Sequence, residues 1–332
     1  MKYNFKNLVL EGGGVKGLAY IGALNVLNKK GVLDNVERVA GSSAGAIVAL
    51  LIGLDYSMED IEEILKTTNI MHFLDDDWGF IRDTIRFINE YGIYPGNSFR
   101  EWVGKRIEKK TGNSECTFQE FHDKGIGREM FFIGTNLSTG FSEIFSYEHT
   151  PSVCIADAVR ISMSIPLFFK AAKGERGDIY VDGGLINNYP IRLFDHETYS
   201  NQNFSIPEFY EKYNKRSPGM KNPFIYNKET LGFRLDSKEE IDVFNGITKP
   251  VKRKINNFFD YTSALVETIL ESQSNTHLNS HDWHRTIYID TLGVTTIEFN
   301  ISEEKKLDLI KSGRENTEKY FEWFDNCDAL NK

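Results

Sequence analysis

The sequence is poor in cysteine, has no surplus of basic residues and contains no long apolar run. Its three cysteines, Cys116, Cys154 and Cys327, are scattered along the chain and odd in number. This pattern predicts a reducing compartment, without a disulfide framework or a thiolate metal site. The net charge of −9 argues against a general nucleic-acid binder, because no run of Lys and Arg is present to displace counterions from phosphates.

The apolar segments are too short for a signal peptide or a membrane-spanning helix. A cleavable signal needs an apolar stretch of about 7–15 residues near the N-terminus, and a strand-like run begins directly after residue 7 instead. The longest apolar run, residues 47–54, falls far below the roughly 18 residues that span a bilayer. We therefore expect a cytoplasmic protein, unless a specialised secretion system exports it, and any membrane contact would come from a local patch.

Short apolar strands alternate with helices of apolar spacing in the first third of the chain. This alternation is typical of an α/β fold with a mainly parallel central sheet. We expect one domain over residues 5–300, interrupted by an insertion at 196–229, and a C-terminal helix within 301–332 that packs on it. Strands are predicted at 7–10, 36–40, 130–137, 179–182, 231–235 and 285–290, and helices at 18–30, 44–54, 60–67, 155–162, 251–274 and 303–324.

A glycine-rich loop separates the first predicted strand from the first predicted helix. Consecutive glycines let the backbone approach a ligand and direct several N–H groups at one point, beside a helix N-terminus that favours negative charge. An oxyanion hole and a pyrophosphate cradle both use such a loop, and a tight turn without chemistry is the alternative. The loop comprises Gly12, Gly13, Gly14, Val15, Lys16 and Gly17.

Dinucleotide binding fits this loop poorly. A Rossmann fold needs an acidic residue at the end of the second strand, where Gly41 and Ser42 stand in this chain. A Walker phosphate loop needs Ser or Thr directly after its lysine, whereas Gly17 follows Lys16. The oxyanion hole therefore remains the better chemical interpretation.

A second motif follows the second predicted strand and opens the second predicted helix. It reads Gly41, Ser42, Ser43, Ala44 and Gly45, which matches the G-x-S-x-G nucleophile elbow in its strand–turn–helix context. The flanking glycines are required because the turn is sharp. The motif predicts Ser43 as a nucleophile held at a helix N-terminus.

A serine nucleophile needs a base, and the sequence offers two kinds. The late histidines His277, His281 and His284 would suit the Ser–Asp–His order of α/β-hydrolases or a zinc site, although a turn interrupts them and surface positions are the simpler account. The other candidate is Asp182, which ends a predicted strand and is followed by Gly183 and Gly184. An aspartate with an ordinary pKa near 3.9 is a weak base, so Asp182 must be desolvated beside Ser43 to serve.

Taken in order, these signals resemble the patatin-like phospholipase family, bacterial branch, over roughly residues 5–195. The resemblance implies a patatin-like three-layer α/β/α sandwich with a mainly parallel central sheet and inserted helical or loop lid elements. The family usually carries Asp where Asn136 stands. The matching segments are residues 11–17, 41–45, 92–96, 135–140, 162–166 and 182–190.

The resemblance also implies a chemistry. Ser43 and Asp182 would form a catalytic dyad without histidine, metal or cofactor, and would hydrolyse the esters of phospholipids or neutral acyl lipids. The oxyanion would be held by N–H groups of the loop that contains Gly12, Gly13, Gly14 and Val15. Lys16 would lie beside that loop, meeting a phosphate or packing outward, and the motif glycines Gly17, Gly41, Gly45, Gly183 and Gly184 would support the turns.

Other functions and contacts stay open. A lipid- or nucleotide-sensing module that uses the glycine loop, active only when triggered, is the alternative to an enzyme. A lid that meets the membrane surface could form in residues 75–94, where Ile81, Ile85 and Ile88 have helical spacing, or in the insertion at 196–229, which has no clear period. A helix packed on the core is the simpler interpretation of residues 75–94. The basic start of the predicted helix at 251–274 is either a solvated end or a site for an activator, and self-association is equally undecided.

Overall fold

A sheet of short buried strands organises the protein. The computed structural model describes residues 3–68, 91–174, 176–201, 203–216, 219, 221–238, 247–249, 252, 254–256, 260–261, 264–269, 281–296, 298 and 300–332. The strands are β1 Asn7–Leu10, β2 Arg38–Gly41, β3 Gly92–Tyr94, β4 Glu129–Asn136, β5 Phe141–Phe145, β6 Leu167–Phe169, β7 Ala172–Lys173, β8 Ile179–Asp182, β9 Phe204–Ser205, β10 Tyr226–Asn227, β11 Thr230–Asp236 and β12 Thr286–Asp290.

Helices flank these strands along the chain, and the described residues also include four short 3-10 turns. The α-helices are α1 Ala19–Lys29, α2 Ala44–Gly53, α3 Met58–Thr67, α4 Asn97–Thr111, α5 Phe118–Asp123, α6 Ile155–Ser162, α7 Gly184–Asn187, α8 Glu208–Arg216 and α9 Glu303–Asn326. The 3-10 turns are Gly14–Leu18, Leu33–Asn35, Glu197–Tyr199 and His281–Arg285. None of the helices in these described ranges combines the length and the apolar character that crossing a membrane requires.

The main sheet has eight strands in the order β12-β11-β1-β2-β4-β8-β7, with β5 also paired to β4. The pairs from β12 to β4 are parallel, whereas β5, β8 and β7 join antiparallel. This confirms the predicted α/β fold with a mainly parallel sheet. All six predicted strands are present, and five predicted helices are confirmed. Half of the sixth, 251–274, lies outside the described residues, and residues 264–269 of the described half are helical.

The two faces of the sheet carry separate apolar clusters because strand side chains alternate in direction. Leu8 and Leu10 of β1 point into the larger cluster, which the helices α1, α2, α6 and α9 cover. Val9 of β1 points the other way, into a smaller aromatic cluster that includes Phe194 and Tyr199. The segment that follows α7 therefore forms the layer on this second face.

The C-terminal helix α9 packs closely on α1. A Cβ on Gly22 of α1 would lie 1.9 Å from the carbonyl oxygen of Ile310. Reciprocally, a Cβ on Gly313 would lie 1.9 Å from the carbonyl oxygen of Ala19. The two helices thus approach backbone to backbone, which only glycine permits at these crossing points.

The insertion at 196–229 is not the structureless loop that its lack of period suggested. It contains β9, α8 and β10, and α8 is a helix of nine residues that buries only Tyr210. Its contacts lie near the amino ends of the strands: Arg38, the first residue of β2, stacks over Tyr199. Ser43 follows the carboxyl end of β2, so these contacts argue against a lid over Ser43 made by this segment.

A fully buried ion pair ties the insertion to the sheet. Arg285 donates to Asp195 Oδ1 and Oδ2 and, through Nη2, to Asp282 Oδ1 at 2.7 Å. Both Arg285 and Asp195 are completely inaccessible to solvent, and Tyr210 of α8 donates its hydroxyl to Asp195. The two buried charges stabilise each other, because an isolated charge in the protein interior has a large desolvation cost.

Replacing Asp195 by Ala should therefore lower the free energy of unfolding by about 3–5 kcal/mol, since the Arg285 guanidinium would lose its bidentate partner. Urea unfolding followed by circular dichroism measures this change. The double variant Asp195→Leu with Arg285→Met should recover part of the loss, because it removes both charges while Asp282 keeps its ion pair with Arg192. A loss below about 1 kcal/mol in Asp195→Ala would contradict this account of the ion pair.

Candidate active site

Ser43 lies in a strained turn between β2 and α2. Its backbone has φ 51° and ψ −123°, a region that non-glycine residues rarely occupy and that is typical of functional sites. The turn is tight enough to exclude side chains on both sides. A Cβ on Gly41 would lie 2.3 Å from the Gly45 carbonyl oxygen, and one on Gly45 would lie 2.4 Å from the Leu10 carbonyl oxygen. The predicted elbow and the need for its glycines are thus evident in the geometry.

The strand β8 brings Asp182 to this turn from the opposite direction. At Phe132, β4 pairs with both β2 and β5, and over residues 134–136 it pairs with both β8 and β5. Since a strand has two edges, β2 and β8 must share the edge that β5 leaves open. Gly41 at the end of β2 stands opposite Phe132, and Asp182 at the end of β8 stands opposite Gly134. The two strands therefore meet end to end beside β4.

The sequence-based expectation placed Asp182 at the end of a strand, which agrees with β8, but gave no direction for that strand. The strand β8 is antiparallel to β4, and it reaches the nucleophile head-on. A Cβ on Gly183 would lie 2.7 Å from Ser42 Oγ and 2.2 Å from the Ile133 carbonyl oxygen. The glycine after Asp182 is thus what allows the two motifs to approach each other.

The Asp182 carboxyl group is held on one side only. Its Oδ1 accepts the N–H of Gly184 at 2.7 Å, and the Asp182 N–H donates to the Ser164 carbonyl oxygen at 2.9 Å. The other oxygen, Oδ2, is buried and accepts no hydrogen bond among the described residues. Ser43 Oγ makes a weak contact with Met163 Sδ at 3.7 Å. One carboxylate oxygen is therefore left to receive a proton.

Burial raises the pKa of Asp182 from 3.8 to about 7, although the neighbouring Ser43 hydroxyl and the Gly184 N–H both lower it. The side chain is only 2% exposed, so the charged form loses most of its hydration. A base whose pKa lies near the working pH is both available and strong enough to accept a proton. The desolvation that the sequence-based argument required is present.

The glycine loop lies against the nucleophile. A Cβ on Gly12 would be 2.9 Å from Ser43 Cβ. The Gly12 N–H donates to the Asn188 carbonyl oxygen, and the Val15 N–H donates to the Thr296 carbonyl oxygen. Within the part of the chain that the structure describes, the N–H groups of Gly13 and Gly14 donate no hydrogen bond. Of the four expected oxyanion donors, these two are available in this conformation.

Asn188 and Glu11 hold the glycine loop in position. Asn188 Nδ2 donates to the Gly12 carbonyl oxygen at 3.0 Å and to Glu11 Oε1 at 3.4 Å. Glu11 Oε2 accepts the N–H of Leu235 in β11 at 2.7 Å. Burial raises the pKa of Glu11, and the nearby Arg234 guanidinium offsets part of that rise. Hydrogen bonds from Asn188, which follows α7, and from Leu235 in β11 thus fix the loop beside Ser43.

The remaining predicted site residues take supporting places. Lys16 is only 6% exposed, so it does not pack outward, which was one of the two placements that the sequence left open. It follows the loop glycines in the 3-10 turn Gly14–Leu18, where the backbone tightens toward α1. Gly17 contacts α2, since its Cβ would lie 3.3 Å from Ala44 Cβ. Gly184 opens α7 and supplies the N–H that Asp182 accepts.

The late histidines do not approach this site. His281 and His284 belong to the 3-10 turn that precedes β12, and β12 is parallel to the strands that end at the site. They therefore lie near the amino ends of the strands, away from Ser43; His277 falls outside the described residues. Among those residues, no group of three or more His, Cys, Asp and Glu side chains is placed to hold a metal ion.

Of two cavities in the described part of the protein, one borders the glycine loop and the other does not. A cavity of about 770 Å³ is lined by Arg38 and Glu129 at the amino ends of their strands, so it lies away from Ser43. A narrower groove of about 70 Å³ borders the glycine loop and α2. Its walls are mainly apolar and consist of Gly14, Val15, Gly17, Leu18, Ala44, Ile47, Val48 and Leu65, with Lys66, Thr68 and Lys306 also lining it.

Comparison with known proteins identifies the family. The sequence profile described as patatin-like phospholipase matches residues 8–195, which is more than half of the chain and contains Ser43, Asp182 and the glycine loop. The chain belongs to the patatin-like phospholipase family. This membership supports a lipid acyl hydrolase activity.

Similarity to individual relatives extends beyond residues 8–195. The chain is 29% identical over 323 residues to the uncharacterised protein YqhO of Bacillus subtilis, covering 93% of this chain and 96% of that protein. It is 28% identical over 310 residues to the uncharacterised protein R571 of Acanthamoeba polyphaga mimivirus, covering 93% and 91%. It is 30% identical over 190 residues to the probable lipid hydrolase 463L of Invertebrate iridescent virus 6, covering 57% and 63%.

Solved structures with a similar fold include VipD from Legionella pneumophila. That structure matches with a TM-score of 0.57 at 19% identity and covers 96% of this chain and 67% of its own. The full-length ExoU of Pseudomonas aeruginosa, solved in complex with SpcU, matches with a TM-score of 0.51 at 17% identity, covering 96% and 52%. At these identities the likeness concerns the fold alone.

Several residues of this patatin-like site escaped sequence reasoning. Ser162 Oγ accepts the N–H of Ser43 at 3.0 Å, and Asn188 clamps the glycine loop. Both lie inside segments that the family resemblance had marked, 162–166 and 182–190, so their position was available but their partners were not. Glu11 was visible as the residue before the glycines, and its bond to Leu235 depends on a strand more than 200 residues away in the chain.

Replacing Asn188 by Ala should reduce kcat on an ester substrate by roughly 10- to 100-fold while changing KM little. The variant loses two hydrogen bonds to the loop that lies beside Ser43, and such bonds position groups needed in the transition state. Steady-state kinetics on a soluble short-chain ester measures the effect. The neighbouring Asn187→Ala serves as the matched control, because Asn187 lines the 770 Å³ cavity rather than hydrogen-bonding to the glycine loop. Equal losses in both variants would contradict a positioning role for Asn188.

Proposed function

We propose that this protein is a serine lipid acyl hydrolase of the phospholipase A or lysophospholipase type, with Ser43 as nucleophile and Asp182 as its only base. The observation that carries the proposal is the buried Asp182 carboxyl group, whose pKa is raised to about 7, at the point where β8 meets the strained Ser43 turn. A buried acid with a raised pKa beside a nucleophile in a strained turn is typical of catalysis.

The reaction would proceed in two halves. Ser43 Oγ attacks the acyl carbonyl carbon while Asp182 accepts the hydroxyl proton, and the C–O bond to the leaving alcohol then breaks as Asp182 returns that proton to it. Water next attacks the acyl-enzyme and gives a proton to Asp182. The bond between the acyl carbon and Ser43 Oγ then breaks as Asp182 returns that proton to Ser43 Oγ, and the fatty acid leaves. Each group needed for these steps is supplied by the chain itself.

The developing negative charge on the carbonyl oxygen would be stabilised by the N–H groups of Gly13 and Gly14. These two groups donate no hydrogen bond among the described residues, and they belong to the loop that Asn188 and Glu11 hold rigid. Donors that are already oriented cost no reorganisation when charge appears, which makes them effective in a site with little water.

The apolar groove beside α2 would receive the acyl chain. It begins at Gly14 and Ala44, next to the proposed oxyanion donors and to Ser43. Its volume of about 70 Å³ corresponds to roughly two water molecules, so a long chain has to widen it. The lysophospholipase NTE1 of Candida glabrata, 25% identical over 184 residues, and the probable lipid hydrolase of iridescent virus carry names consistent with an acyl-lipid substrate.

The test is release of fatty acid from mixed phospholipid vesicles and from a soluble ester, in the presence of a chelator. Ser43→Ala and Asp182→Asn should each reduce release by at least roughly 10³-fold, because the dyad acts as one unit. Wild-type activity should be insensitive to the chelator. The matched control is Asp178→Asn, which changes a carboxylate just before the same strand.

The proposed dyad would be contradicted if activity survived in Asp182→Asn but disappeared in Asp178→Asn. It would also be contradicted if the chelator abolished wild-type activity. Wild-type protein that binds vesicles but hydrolyses neither substrate would favour the sensing module instead. The set of lipids cleaved by the wild type would also assign the headgroup and acyl position.

A further inference from the structure

The turn between β4 and β5 presents two large apolar side chains to solvent. Phe141 is 71% exposed and Leu137 is 50% exposed. Single apolar side chains on a surface are ordinary. These two are different because they flank one short turn, residues 137–140, and because of where that turn lies.

The turn projects from the edge of the sheet that carries the nucleophile. Gly41, two residues before Ser43, is level with Phe132 of β4, and Asp182 is level with Gly134. The strand β4 continues to Asn136, so at about 3.3 Å per residue it extends about 13 Å past Phe132. The tip therefore stands outward from Ser43 and Asp182 on the same side of the molecule.

The backbone of the turn is held firmly although its apolar side chains are not covered. Asn136 Oδ1 accepts the N–H groups of Ser138 and Thr139 at 2.9 and 3.2 Å, and Asn136 Nδ2 donates to Glu143 at 2.7 Å. Tyr180 donates its hydroxyl to the same carboxylate at 2.9 Å. The Asn136 amide thus both accepts from the turn and donates to Glu143.

Basic side chains stand beside the tip. The hairpin that joins β7 to β8 is its direct neighbour, because the Ile179 N–H donates to Ser138 Oγ and the Leu137 N–H donates to the Ile179 carbonyl oxygen. Lys173 and Arg176 of this hairpin are exposed. Residues 170–178 contain three basic and two acidic residues, a local basic excess in a chain whose net charge is −9.

We propose that this tip, residues 137–141, docks the protein on a lipid bilayer: Leu137 and Phe141 enter the apolar boundary, and Lys173 and Arg176 contact headgroup phosphates. The choice of a lipid surface rests on the proposed acyl hydrolase function. A rigid apolar tip flanked by basic residues is suited to an interface of apolar chains and anionic headgroups. Docking there would turn the edge that carries Ser43 toward its substrate.

The experiment separates docking from catalysis by measuring vesicle binding in a Ser43→Ala background. Sedimentation with phosphatidylcholine vesicles, with and without phosphatidylglycerol, is compared for that protein and for the added pair Leu137→Ser with Phe141→Ser. Removing two side chains that become buried in lipid should weaken binding at least roughly ten-fold. The matched controls are Ile126→Ser and Tyr213→Ser, exposed apolar residues near the opposite edge.

The basic pair gives an independent arm. Lys173→Ala with Arg176→Ala should weaken binding to vesicles that contain phosphatidylglycerol about ten-fold, and should have little effect on pure phosphatidylcholine vesicles. In protein that retains Ser43, both pairs of substitutions should leave the rate of hydrolysis of a soluble short-chain ester within about two-fold of the rate without them.

Vesicle binding that is unchanged in the Leu137 and Phe141 double variant would overturn the inference, as would a larger loss in the Tyr213 control. Failure of the proposed function has a different signature. It would appear as absent ester hydrolysis in the unsubstituted protein, and the binding comparison would still decide whether the tip docks on lipid.

Discussion

The burial of one carboxyl group is the constraint on which the candidate site depends. Asp182 acquires a pKa of about 7 only because it has lost nearly all its hydration, and that loss requires protein on every side. The end-to-end meeting of β2 and β8 beside β4 supplies it, with Gly183 permitting an approach that any larger residue would block. Burying a charged group without a hydrogen-bond partner destabilises the folded state. We therefore interpret the buried Oδ2 of Asp182, which accepts no hydrogen bond among the described residues, as a requirement of catalysis.

The surrounding structure restrains the groups that meet at this point. Ser162 Oγ accepts the Ser43 N–H, and Asn188 and Glu11 hold the glycine loop. Arg160 holds Ser164, whose carbonyl oxygen accepts the N–H of Asp182. The Arg160 guanidinium donates to Ser164 Oγ and to the carbonyl oxygens of Pro95, Gly96 and Lys170. Such buried polar contacts orient reacting groups before substrate arrives, which is where much of the rate enhancement of hydrolases originates. These contacts also explain why segments 92–96 and 162–166 belong to the motif pattern although they contain no reacting group.

Much of this could be predicted from the sequence, for identifiable reasons. The strands β1, β2 and β8 and the helices α2 and α6 have short, strongly apolar sequences bounded by glycine or by a turn, and local patterns of this kind are reliable. The antiparallel course of β8 could not be predicted, because its residues carry no information about their pairing partner. The contacts of Glu11 with Leu235 and of Val15 with Thr296 join distant parts of the chain. The insertion was misjudged because the helix α8 spans only nine residues and buries a single one, Tyr210, so it left a short local signal among polar residues.

The most direct test of the central claim is the pH dependence of kcat/KM on a soluble ester, which reports the ionisation of the free enzyme. Asp182 must be deprotonated to accept the Ser43 proton, so activity should fall as the pH drops below about 7, with a slope of one, and should level off above it. The same limb should persist in Glu11→Gln, which removes the other buried acid of raised pKa near the loop. A limb centred near pH 4, the range of an ordinary aspartate, would contradict the claim that a desolvated Asp182 activates Ser43.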